Sequence, residues 1–238
     1  MADIQNIFHF EPRRAAKAIG ALLKNPDDLP QVFTILESFS GTALWRLQRR
    51  FESSPDGARL LRDKPDIVKL LANREWLRSL PEGSLGRAYL AFVESEGISP
   101  EGIRDASAQG MTEHVGPDDF GYVHQRMRDT HDLWHAAVGY RGDVLGESAL
   151  LAFSLAQNWN SGIALIVVAA ILKGFSMGST AVIAEGFRRG REAEFLPTLD
   201  WESLLALPVS EVRKRLRLGS PPVYEPVRTE QLREAGVI

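Results

Sequence analysis

The chain has no cysteine among its 238 residues. That excludes disulfides and thiolate metal sites, so any bound metal must be held by imidazole and oxygen, which points away from structural zinc. A long apolar run is also missing. The most hydrophobic stretch, Ile163 to Leu172, is about ten residues, roughly half of the ~20 needed to span a bilayer, and it reads as a helix apolar all round at the centre of a bundle. Met1 to Asn6 lacks the basic start and apolar core of a secretory leader, and Asp3 and Glu11 are out of place in a transit peptide, so a cytoplasmic location is expected. Basic charge is not in excess: 28 Lys and Arg face 31 Asp and Glu, for a net −3. Nucleic acid is therefore an unsuited partner.

What remains is ample core material, 44% hydrophobic with 25% charged residues, in a pattern that is helical from end to end. Pro12 to Lys24 sets Ala15, Ile19, Leu22 and Leu23 among Arg13, Arg14, Lys17 and Lys24, a short basic helix that reads either as a solvated helix or as a membrane-surface contact. Val32, Ile35, Leu36 and Phe39 follow at helical spacing. Thr42 to Phe51, Asp66 to Leu77 and Ser84 to Ser95 continue the series, with breaks at Ser53 to Gly57 and at Pro81 to Gly83. After a loop from Gly110 to Pro117, a single helix is expected from Asp118 to Val138, then one from Gly146 to Gln157, a kinked continuation through Ser176 to Ala181, and short helices at Trp201 to Ala206 and Ser210 to Leu216. No repeat or linker divides the chain. The expected fold is all-α, one helical bundle over 1–238, with N-terminal helices in 1–40 and a tail in 219–238.

One segment concentrates metal-binding chemistry: His131-Asp132-Leu133-Trp134-His135, with Glu147 beyond. On a helix His131 and His135 are one turn apart and Asp132 and His135 three residues apart, so their side chains share adjoining positions. Gly139, Gly142 and Gly146 allow the chain to reverse and return Glu147 from a second helix, which puts a metal site between two adjacent helices. Two imidazoles with one or two carboxylates suit zinc with an open position and equally the facial arrangement that holds Fe(II). The same histidines also read as core residues hydrogen-bonded to Asp132 or Glu147. A zincin needs glutamate directly after the first histidine, and Asp132 stands there. A His-Asp phosphohydrolase would need His124 and Asp143 as further ligands, on poor spacing. Arg126, Arg128 and Arg141 flank the motif as candidates for a substrate carboxylate or phosphate, or as ordinary salt bridges. Gln157 falls near the side of Glu147 and can support the site from behind, or cap its helix.

These residues resemble the Coq4 family of ubiquinone biosynthesis, whose signature is His-Asp-x-x-His, eleven residues, then Glu; here it is His131, Asp132, His135 and Glu147 with the spacing intact. The likeness extends to Tyr122, Val123, Gln125, Arg126, Arg128, Gly146, Phe153 and Gln157, upstream through Leu80 to Tyr89, and downstream to Gly190, Arg191, Trp201, Glu202 and Arg213. The resemblance implies a protein acting on polyprenylated hydroxybenzoate precursors, as a metal-dependent C1 decarboxylase, oxidative or not, or as a prenyl-lipid-binding scaffold for other coenzyme Q proteins. In the catalytic version the four signature residues serve as both metal ligands and catalytic residues. Zinc is the metal it implies, with Fe or Mn as alternatives. Peripheral contact with the inner face of the membrane and self-association are also expected.

Overall fold

The computed structural model describes residues 10–39, 42–112, 116–174 and 180–238. Among them the fold is all-α, as expected, with one isolated bridge between Ser84 and Pro208. The expected kink through 176–179 lies outside the described residues.

The basic helix forms as read, α1 (Pro12–Lys24), and packs on α2 (Leu29–Ser38) through a short turn. Next come α3 (Thr42–Ser53) and α4 (Pro55–Asp63). The break expected over residues 53–57 falls at Ser54, and a helix not foreseen starts directly after it: the Ser54 hydroxyl accepts from the Gly57 amide at 3.1 Å and Pro55 stands at the first helical position, where its missing N–H costs nothing. The helix expected over Asp66 to Leu77 is two short ones, α5 (Val68–Leu71) and α6 (Arg74–Ser79), because Asn73 caps the second by accepting from Trp76 N.

The core is built around α7 (Leu85–Glu96), which packs on the motif helix through Leu85, Tyr89 and Val93. Beyond it lie α8 (Pro100–Gly110) and α9 (Asp119–Asp129). The expected continuous helix to Val138 is divided at Thr130, whose hydroxyl donates to the Arg126 carbonyl at 2.8 Å, and a new helix, α10 (His131–Val138), starts at the first histidine. The break re-aims the motif relative to α9. Gly139, at φ +94°, ends α10 in the left-handed conformation glycine adopts without strain.

The chain returns as α11 (Val144–Asn158), continues as α12 (Ser161–Gly174) and α13 (Thr180–Glu192), and closes with α14 (Trp201–Leu204), α15 (Val209–Arg215) and α16 (Thr229–Glu234). The expectation for α12 is corrected: it flanks the bundle instead of occupying its centre, leaving Val168 51% and Leu172 68% exposed. The expected tail is corrected too. Residues past Pro221 strap back across the fold, with Val227 N donating to Asp143 at 2.8 Å and Thr229 Oγ1 to Asp27 at 2.7 Å, so polar anchors replace the apolar periodicity that marks a helix in sequence.

The closest helix pair is α11 with α13. A Cβ added at Gly186 would lie 2.2 Å from the Ala149 carbonyl oxygen, and one at Gly190 2.4 Å from that of Phe153. Gly186→Ala should therefore force the two helices apart and lower stability by about 1–3 kcal/mol. Gly20→Ala in α1, with nothing within 4 Å, should be neutral or slightly stabilising, by up to about 1 kcal/mol. Urea unfolding midpoints measure both; equal midpoints for the two variants would contradict the close approach.

Candidate metal centre

His131 stands at the start of α10 and His135 one turn on, so both rings leave the same face. Asp143 accepts from Leu145 N and Gly146 N and thereby fixes where α11 begins. One turn into that helix, Glu147 meets both imidazoles: Oε1 is 3.1 Å from His135 Nε2, and Oε2 is 3.4 Å from His131 Nε2. The ligand atoms of His131, His135 and Glu147 all lie within 4.8 Å of one another, and no other group of this kind occurs among the described residues.

Hydrogen bonding sets the tautomer of His135. Its Nδ1 lies 3.1 Å from the Tyr140 carbonyl oxygen, which can only accept, so Nδ1 carries the proton. In the neutral ring Nε2 is then a lone pair, and it faces the Glu147 carboxylate without hydrogen-bond geometry. A lone pair set against a carboxylate calls for a cation or a proton between them, and an imidazole fixed from behind by a backbone carbonyl is the usual support of a metal ligand. The donor set fits a divalent ion. Phe92 of α7 stacks on the His135 ring at 4.8 Å between centroids and 11° between planes, which limits its rotation.

The site is deep at one end and open at the other: the His135 side chain is 0% exposed and that of Glu147 43%. Against the upward push of burial, the His135 charge and the close approach of both imidazoles hold the Glu147 carboxyl well below the usual carboxylate range. Burial pulls His135 down, but Glu147 and Asp132 more than offset it and its pKa is raised.

Asp132 is not part of the trio. Its side chain lies within electrostatic reach of both histidines, yet burial dominates and raises its pKa. Arg126 is likewise not free for a ligand: it is 2% exposed and grips Glu202 through both terminal nitrogens at 2.8 and 2.7 Å. Arg128 donates to Asp129 at 2.8 Å while lining a cavity beside His131. Arg141 is exposed, and its backbone N–H donates to the Tyr224 hydroxyl. Gln157 neither caps its helix nor reaches the centre; it donates to the Gly190 carbonyl at 2.6 Å and accepts from Leu196 N at 2.9 Å, tying α11 to α13. The phosphohydrolase ligands are not assembled, since Asp143 is taken up by the α11 cap and by Tyr224 and Val227.

Two apolar cavities flank the centre and both reach His131. One, about 320 Å³, runs between α2, α3, α9 and α11 past Leu36, Leu47 and Trp134. The other, about 370 Å³, runs between α1, α11 and α12 past Leu22, Ile166 and Leu232 and includes Glu147. Sequence reasoning did not find Phe92, the Tyr140 carbonyl or the strap residues Val227 and Leu232; Phe92 and the strap come from elements distant in sequence, the Tyr140 contact is made by a backbone group, and none carries a metal-binding signal of its own.

An all-helical fold with a two-histidine, one-carboxylate centre between apolar cavities defines the class. The chain belongs to the Coq4 family: residues 13–222 match the family model described as coenzyme Q (ubiquinone) biosynthesis protein Coq4. It is 34% identical over 188 residues to the mitochondrial ubiquinone biosynthesis protein coq4 of Talaromyces stipitatus, a match covering 78% of this chain and 63% of that protein. With the Uncinocarpus reesii mitochondrial COQ4 protein it shares 32% over 221 residues, 91% of this chain and 77% of the other. The fold is also that of a Nostoc punctiforme protein of known crystal structure, provisionally described as a ubiquinone biosynthesis protein, with a TM-score of 0.64, 22% identity, and coverage of 89% of this chain and all of the other.

Purified protein should bind one Zn(II) or Co(II) ion per chain in equilibrium dialysis. His135→Ala should weaken binding at least about tenfold, whereas Asp132→Asn should change it little. Undiminished binding by His135→Ala would remove the trio as the site.

Proposed function

We propose that the protein acts in coenzyme Q biosynthesis on polyprenylated hydroxybenzoates, removing the carboxyl at ring position C1 in a reaction dependent on a divalent metal, zinc by family resemblance or else Fe or Mn. The observation that carries this reading is the meeting of two apolar cavities at His131, beside the donor trio. A ligand with a polar ring and a long hydrocarbon tail has the same division.

In this reading His131, His135 and Glu147 hold the ion, which when bound supplies Lewis acidity that draws charge from the ring as the carboxyl leaves. The bond from C1 to the carboxyl carbon breaks, CO2 departs, and the electron pair stays on C1, which takes up a proton. Asp132, a carboxyl outside the trio and adjacent to His131, is the group proposed to deliver that proton. Phe92 and the Tyr140 carbonyl keep His135 in one orientation throughout. The hydroxylating variant of the reaction needs an electron acceptor such as O2 and a redox-active metal, because zinc has no redox chemistry.

Mass spectrometry of a prenylated hydroxybenzoate, incubated with protein loaded in turn with Zn(II), Mn(II) or Fe(II), tests this. The expected product has lost CO2, with no turnover by His131→Ala and a rate lowered roughly 100-fold or more by Asp132→Asn. A product carrying added oxygen would identify the oxidative form. Tight binding of the precursor without turnover under any metal would move the protein to a scaffold role.

Delivery from a membrane belongs to the same reading. Arg13, Lys17 and Lys24 are exposed on α1, while Leu22 and Leu23 on its other side line the larger cavity. No helix among the described residues is long and apolar enough to cross a membrane; the contact proposed for α1 is a peripheral one. The protein should sediment with vesicles containing anionic lipid and less so after Arg13, Lys17 and Lys24 are changed to Gln. Equal sedimentation of both forms would exclude this role for α1.

A further inference from the structure

We propose that Arg128 receives the carboxylate of the substrate in the cavity between α2, α3, α9 and α11. This deepens the function proposed above and rests on it.

Three arginines flank the metal motif, and the structure separates them. Arg126 is sealed and spends both terminal nitrogens on Glu202. Arg141 is exposed and lines neither of the cavities beside His131. Arg128, in the last turn of α9 and three residues before His131, is the only arginine or lysine in the described wall of the cavity between α2, α3, α9 and α11. It also borders a polar pocket lined by another stripe of α9, with Tyr122, Gln125 and Asp129.

Its guanidinium is held by one edge only. Nε donates to Asp129 at 2.8 Å, and Asp129 is gripped from α8 by Arg104 at 3.2 and 2.6 Å. Among the described residues the two terminal nitrogens of Arg128 make no hydrogen bond, and neither is sealed from solvent. The side chain as a whole is 13% exposed, partly buried yet within reach of a ligand. An arginine fixed through Nε presents its Nη1 and Nη2 edge as a planar fork that matches the two oxygens of a carboxylate.

The acidic residues already in this wall are engaged elsewhere: Glu37 accepts from Thr112 N and pairs with Arg14, and Asp118 accepts from Gly121 N. The Arg128 charge is felt inside the cavity, since it adds to burial in holding His124, another wall residue, down at about 4. Most of the remaining wall is apolar, including Leu36, Leu47 and Met127, so a carboxylate entering it meets a medium in which a charged fork counts for more than it does in water. The contact is lost when CO2 departs. It therefore favours the precursor over its product and contributes to KM more than to kcat.

3-Geranylbenzoate and 3-geranylbenzamide have nearly the same shape and differ in charge, and neither carries the hydroxyl that activates the ring, so isothermal titration into Zn(II)-loaded protein reads binding without turnover. Wild-type protein should bind the benzoate at least about tenfold more tightly than the benzamide. Arg128→Gln, which can still donate to Asp129, should cut that preference about tenfold while leaving the benzamide affinity within about twofold. Arg128→Lys, which keeps the charge without the fork, should fall between the two, and Arg141→Gln should behave as wild type. Any preference that a bound ion adds is common to all four proteins and cancels in the comparison. A preference that persists in Arg128→Gln, an equal loss for both probes, or an equal fall in Arg141→Gln overturns the assignment. Failure of the wild type to bind either probe would instead take down the prenyl-ligand reading on which the assignment stands.

Discussion

The hydrogen bond from His135 Nδ1 to the Tyr140 carbonyl is the contact on which the rest of the centre depends. It decides that the lone pair sits on Nε2, and it joins the last turn of α10 to the residue just beyond it. Several otherwise unrelated features keep that short turn in place. Gly139 takes the left-handed conformation and donates to the His135 carbonyl at 2.8 Å. Arg213 donates to the carbonyls of Ala136 and Ala137, and Arg189 to that of Val138. The open carbonyls at the end of α10 are thus satisfied by guanidinium groups, which also oppose the negative end of the helix dipole. The Tyr140 carbonyl is left to the imidazole.

The same economy explains why arginine near the motif is mostly structural. Arg126 lies one turn before Thr130, where α9 ends, and its fork on Glu202 ties α9 to α14. Arg104 bridges Asp129 and Asp66 from α8. Anchored at both points, α9 cannot follow α10 as the chain bends at Thr130, so the break is held at a fixed angle. Removing one partner of a buried pair of this kind leaves an uncompensated charge and costs about 3–5 kcal/mol. The pairs contribute less to net stability than to fixing where His131 begins its helix.

Much of this was legible in the chain itself. Helical spacing placed His131 and His135 on one face, the run of glycines marked the return of Glu147, and α1 and α11 lie close to where their apolar periodicity put them. Asp132 was misleading for a local reason: spacing of three residues from His135 brings it near, but not into, the group of ligand atoms. Arg126 and Gln157 were read outward from the motif, whereas their partners, Glu202, Gly190 and Leu196, lie far along the sequence. The C-terminal strap escaped notice because Tyr224, Val227 and Thr229 act through single hydrogen bonds to Asp143 and Asp27. Periodicity reports apolar faces and is silent about such anchors.

In the function proposed for the protein, the two cavities of similar size beside His131 supply apolar wall for a hydrocarbon tail. Burying a hydrocarbon tail contributes about 0.8 kcal/mol per CH2 and discriminates little among tails that fit. Affinity can thus come from apolar wall, while a polar ring would be oriented by the donor atoms near His131. Binding energy gathered far from the reacting carbon is useful to catalysis when it holds the ring in one pose against a rigid donor set. The stacked Phe92, the fixed His135 tautomer and the capped start of α11 provide that rigidity before any ligand arrives. The strap beyond residue 222, outside the stretch matched by the family, adds Val227 and Leu232 to the wall of the cavity under α1.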